Sequence, residues 1–140
     1  MNAAQILHEL ENTKYFNGVF PRDKIPKLKP PFSIIINTDA QSEAGEHWVS
    51  IFVTTSHVEY FDPIGFPPFH KDNYQFIDSY NTTFFFSSFT IQNVDASMCG
   101  RYCIEYVKAK SRSIELNSFL LFLNKFSRNL IKNDQIVSTK

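Results

Sequence analysis

Cys99 stands just before Gly100 and at the start of a stretch, Arg101 to Arg112, with helical periodicity. A thiol at a helix N-terminus meets unpaired backbone N–H groups and the positive end of the helix dipole, both of which favour thiolate over thiol. Gly100 has no side chain and is expected to leave the backbone beside the sulfur open to a substrate. Gln92, seven positions upstream, carries an amide able to donate to an oxyanion. Further upstream are His47, in His47-Trp48, and Asp62, in Phe61-Asp62-Pro63-Ile64-Gly65. The chain order is histidine, aspartate, glutamine, cysteine: a base, its orienting carboxylate, an oxyanion donor and a nucleophile, the parts of acyl transfer through a thioester. Taken singly these residues are ordinary. A lone cysteine is commonly a small buried hydrophobe, Asp-Pro is commonly a turn, and a histidine or glutamine is commonly on the surface. The ordered set is what points to chemistry.

These residues need strands and a helix to hold them. Asn2 to Glu11 carries Ile6, Leu7 and Leu10 at helical spacing. Asn17 to Pro31, rich in proline and lysine, reads as an irregular surface segment. Phe32 to Asn37 is a β-branched apolar run, the pattern of a buried strand, and Asp39 to Glu46 is a polar loop. Trp48 to Val53 alternates as a central strand. Val58 to Phe61 follows through the short turn at Thr55-Ser56. Antiparallel pairing of those two strands brings His47 and Asp62 to the same end of the hairpin. Trp48 then points away from His47, toward the core. The proline pair at Pro67 opens a helix reaching Tyr80, Thr83 to Ile91 reads as one or two short strands, and Met98 to Lys110 as a helix. Leu116 to Ile131 reads as one further helix, with a frayed tail after Lys132. The expected fold is therefore α+β, one domain over residues 1–140, with a central mixed, mostly antiparallel sheet and packed helices.

Composition bounds the rest. The 140 residues include 15 phenylalanines and 6 tyrosines, enough for a small core, and the formal net charge of +0 gives no general pull toward nucleic acid. Two cysteines, Cys99 and Cys103, lie one helical turn apart. That spacing disfavours a disulfide within a helix, so free thiols and a reducing compartment are expected. Cys103 is expected to face inward as packing. No apolar run reaches membrane-span length and no signal peptide is visible, so neither membrane association nor secretion is expected. The clustered Cys/His spacing of a metal site is missing, and neither metal nor cofactor is expected. His8, His57 and His70 read as surface histidines.

The motifs together resemble the adenovirus-type cysteine proteases, which also occur in large self-synthesising DNA transposons (Polinton type) and related viruses. They are more distantly similar to the ubiquitin-like-protein proteases. Tyr15 to Phe20 with Arg22 to Pro26 looks like the family's N-terminal segment, and Ile34 to Thr38 followed by Gly45 to Val49 like its strand, loop and histidine. Phe61 to Phe66 matches an acid-Pro-x-Gly-Phe pattern, with Asp62 where the adenovirus enzymes carry glutamate. Gln92, Cys99-Gly100 and Cys103 match the remaining positions. The resemblance implies a cysteine endopeptidase with catalytic His47, Asp62 and Cys99 and an oxyanion-hole Gln92. It implies cleavage after glycine in polypeptide substrates, capsid or core precursors, and a location in the virion or the host nucleus or cytoplasm. The adenovirus enzymes are activated by DNA and by a disulfide-linked peptide. Ser87 to Ile91 holds no cysteine for such a link, so only a non-covalent activating peptide is expected. Nucleic-acid contact would fall to Lys24, Lys27 and Lys29, or to Lys108, Lys110 and Arg112, clusters that are usually solvated faces. Two other readings are an isopeptidase for ubiquitin-like modifiers and an inactive relic kept as a binding module.

Overall fold

The computed structural model describes residues 1–38, 47–92 and 98–138. The polar loop expected over residues 39–46 lies outside the described residues, as do residues 93–97 between Gln92 and Met98.

The described residues form an α+β fold, five helices on a five-stranded mixed sheet. In chain order the elements are α1 (Ala3–Leu10), β1 (Phe16–Pro21), β2 (Phe32–Asn37), β3 (Trp48–Val53), β4 (His57–Phe61), α2 (Lys71–Asp78), β5 (Thr83–Phe86), α3 (Cys99–Arg112), α4 (Leu116–Leu123) and α5 (Leu130–Ser138). The strands lie side by side in sequence order. The centre, β2–β3–β4, is antiparallel, and β1 and β5 flank it in parallel. Every residue of β2, β3 and β4 is buried. Alternation then assigns their side chains to two cores. Ile35, Trp48, Phe52 and Phe61 pack with Tyr102, Cys103, Tyr106 and Val107 of α3 on one face. Ile34, Ile36, Val49, Ile51, Val53 and Tyr60 pack with Ile77 of α2 on the other.

Three sequence expectations change. The segment from Asn17 is not wholly irregular, because Phe16–Pro21 forms β1. Its register with β2 shifts between Phe16 and Val19, where Gly18 has φ 133, and Tyr15 just before the strand also has positive φ (73). A half-buried bulged strand has no clean alternation to read. The helix expected over Leu116 to Ile131 is two helices, and the tail is not frayed. Asn129 accepts at Oδ1 from the Lys132 backbone and so caps α5, whose Asn133 and Val137 are buried.

The third change concerns charge. His57 is not a surface residue: it is buried, with Nε2 2.7 Å from Glu59 Oε2 and Nδ1 3.0 Å from Thr54 Oγ1. Glu59 is fully buried and also accepts from Tyr106 (2.6 Å) and from Lys110 Nζ (2.9 Å). Lys110 is itself fully buried, and its other two donors reach Glu115 O (2.8 Å) and Ser118 Oγ (2.7 Å). The basic group Lys108, Lys110, Arg112 is therefore no surface cluster for nucleic acid. Burial pulls the Lys110 ammonium below its ordinary range, opposed by the charge and hydrogen bond of Glu59. A buried pair with every donor matched adds little net stability, but losing one member strands the other. Lys110→Met is expected to cost about 3–5 kcal/mol in urea unfolding. Combining it with Glu59→Leu is expected to recover part of that loss. A Lys110→Met protein as stable as the parent would refute the role assigned to the pair.

Candidate functional site

The β3–β4 hairpin sets the first two site residues. Thr54 N donates to His57 O (2.9 Å), leaving Thr55-Ser56 as a two-residue turn, and Ser50 pairs with Phe61 at the open end. His47 just before β3 and Asp62 just after β4 overhang that end. His47 Nε2 lies 2.9 Å from Asp62 Oδ1. Asp62 is buried and the imidazole is partly exposed. The same Asp62 oxygen accepts from Ile64 N at 2.8 Å, which fixes the carboxylate independently of the histidine.

Cys99 arrives from the helix layer as the first residue of α3. Its N-cap residue, Met98, makes no side-chain capping hydrogen bond. The sulfur is buried and receives the Trp48 backbone N–H at 3.4 Å. Burial opposes charge on the sulfur, yet the thiol lies below its ordinary range: its hydrogen bond to His47, those from the Trp48 and Gly100 backbone, and the His47 charge prevail. Burial likewise opposes the imidazolium, but hydrogen bonds to Asp62 and Cys99 and the charges of both raise His47 to about 9. Both shifts act in the same sense, favouring a thiolate on Cys99 beside an imidazolium on His47. With Nε2 on Asp62, Nδ1 is the ring nitrogen left for the sulfur. Cys103 has the opposite fate: fully buried, it is pushed well above the ordinary thiol range by desolvation and by the charges of Cys99 and Asp62.

Gln92 enters through the turn after Asp62. Gly65 N closes that turn onto Asp62 O at 2.9 Å. Ile91 N and Gln92 N both donate to Pro63 O, at 2.9 and 3.1 Å, and Thr90 Oγ1 donates to Ile64 O at 2.5 Å. Gly65 (φ 92) is required here, because a Cβ would come within 2.7 Å of the Phe89 carbonyl carbon. The segment that carries Gln92 is thus docked on the segment that carries Asp62, and Gln92 is buried. Gly100 departs from expectation. A Cβ there would lie 3.4 Å from both Met1 Cβ and Trp48 Cδ1, so this side of the glycine is covered and not open to a substrate. Trp48 packs in the core on the α3 side, and its Nε1 donates to Met1 O at 3.1 Å.

His47, Asp62 and Cys99 thus converge as a connected set, with Gln92 on the adjoining turn. The arrangement can present a charged sulfur nucleophile beside an imidazolium able to return a proton. Sequence inspection overlooked the Trp48 backbone donor, which depends on a helix end meeting a strand end, and the Gly65 contact, for which the glycine after Pro63-Ile64 was the available signal.

Among solved structures this chain is similar in fold to two crystal structures of the ASFV pS273R protease. One aligns at a TM-score of 0.52 and 22% identity over 74% of this chain and 39% of that chain. Its selenomethionine form aligns at 0.50 and 24% over 63% and 37%. The chain spans well under half the length of the proteases it matches. No family model and no curated protein matches the sequence.

Alkylation checks the ion pair directly. The rate of iodoacetamide reaction at Cys99 is expected to follow a midpoint below 9.0, the ordinary thiol value. His47→Ala is expected to move that midpoint upward, since the histidine supplies a hydrogen bond and a charge. An unchanged pH profile in His47→Ala would show that the imidazole does not govern the thiol.

Proposed function

We propose that this chain is a cysteine endopeptidase in which Cys99, His47 and Asp62 form the catalytic triad and Gln92 contributes to the oxyanion hole. The observation that carries the reading is the His47–Asp62 contact of 2.9 Å beside a thiol held below its ordinary range. The fold shared with a viral protease supports it.

In the proposed reaction the Cys99 thiolate attacks a peptide carbonyl carbon, and the carbonyl electron pair moves onto oxygen. Gln92 and a backbone N–H of the first turn of α3 stabilise that oxyanion. Collapse expels the amine, which takes the proton of the His47 imidazolium, and leaves a thioester on Cys99. His47, now neutral, takes a proton from water as the water attacks the thioester. The acid is released and the ion pair restored. Asp62, fixed by the Ile64 N–H, keeps the imidazole oriented through both halves. The motif resemblance supports cleavage after glycine in viral or transposon precursor proteins. A narrow acyl-side groove would penalise a Cβ by about 1–3 kcal/mol of overpacking strain.

Activity is expected to be bell-shaped in pH. It is lost on the acid side as the Cys99 thiolate is protonated, and on the alkaline side as pH rises through about 9 and His47 loses its proton. Peptides carrying Gly-Gly before the cut, scored against Leu and Lys variants, test the function. Cys99→Ala is expected to abolish hydrolysis in a folded protein, and Gln92→Ala to lower kcat about 10²–10³-fold. Near-parental turnover in Cys99→Ala would sink the assignment, and equal cleavage after Gly, Leu and Lys would remove the specificity.

A further inference from the structure

The Gln92 segment is gripped from two sides, and only one grip belongs to the Asp62 turn. On the other side Ile91 O, one peptide unit before Gln92, accepts from Asn133 Nδ2 of α5 at 3.0 Å. Asn133 is fully buried. Its second amide proton goes to Ser127 O at 2.7 Å, and its Oδ1 accepts from Ser127 N at 3.0 Å. Both donors and the acceptor are engaged, which fixes the amide orientation and leaves one geometry for the bond to Ile91. Tyr102 Oη also reaches Ile91 O, at 3.2 Å, but it makes a shorter contact to the Asp134 carboxylate. A hydroxyl has one proton, and the charged acceptor takes it in preference. Asn133 is then the standing donor to Ile91 O.

We propose that Asn133 is a positioning residue for the oxyanion hole: by holding the Ile91 carbonyl it fixes the peptide from which Gln92 projects, so that α5 tunes transition-state stabilisation. This rests on the role of Gln92 proposed above. An oxyanion donor displaced by about 1 Å loses much of its effect, because the rate depends on geometry met only in the transition state. Substrate binding need not change. The effect is therefore on kcat and not on KM, and it passes through Gln92.

The test is a double-mutant cycle on peptide hydrolysis. Asn133→Asp preserves shape and the acceptor for Ser127 N but removes the amide nitrogen that donates to Ile91 O and Ser127 O. It is expected to lower kcat about 10- to 100-fold with KM within about twofold, and to have little further effect in a Gln92→Ala background. Equal losses in both backgrounds, or unchanged kcat in folded Asn133→Asp, would overturn the inference. If Gln92→Ala alone leaves kcat unchanged, the oxyanion reading fails instead, and the two failures are thereby told apart. A second measurement uses the unaltered protein, in case Asn133→Asp does not fold. A peptide aldehyde adds the Cys99 sulfur to its carbonyl carbon and places the resulting oxygen in the hole. By reciprocity of coupling, that occupancy is expected to slow amide hydrogen exchange in residues 130–138 several-fold. No slowing would count against a link between α5 and the hole.

Discussion

Everything at the site depends on where the β3–β4 hairpin ends. A two-residue turn at Thr55-Ser56 fixes the register, and a slip by one residue would exchange the two faces of both strands. Such a slip would bury Val49 and Ile51 where Trp48 and Phe52 belong, so core packing on both faces defends the register. His47 and Asp62 inherit that precision as the residues just beyond the paired region. The carboxylate is then locked by its own turn, and the histidine has one place to dock.

The opposite end of the same hairpin solves a different problem. There His57, Glu59 and Lys110 bring charge into a fully buried layer, joined by Tyr106 and closed by Ser118 and the Glu115 carbonyl. Phe61, next on that face of β4, stacks on Tyr106 at a centroid distance of 5.0 Å. The strand thus runs from a polar cluster through aromatic packing to the site. Its two polar ends are separated by apolar side chains and tie β4 to α3 at different heights.

The central strands were legible because their apolar runs and alternation are local. So was the meeting of His47, Asp62 and Cys99, each of which stands beside a local marker: Trp48 opening a strand, Pro63 in a turn, Gly100 at a helix start. What escaped inspection is non-local. β1 is set by parallel pairing across a bulge at Gly18. The break between α4 and α5 is set by Asn133 reaching back to Ser127, and the burial of His57 and Lys110 by a carboxylate that itself looks like a surface residue. The cover over Gly100 is non-local too, coming from Met1 and Trp48.

The chain has one tryptophan, and its position gives it a further use. The Trp48 backbone N–H points at the Cys99 sulfur, and its ring edge lies against Gly100. The indole N–H is held by the Met1 carbonyl, so the ring has a fixed orientation relative to the sulfur. Indole fluorescence of this chain therefore originates beside the candidate nucleophile. Emission from an indole responds to the local field, so a change of charge at Cys99 is expected to register in the optical signal without an added label.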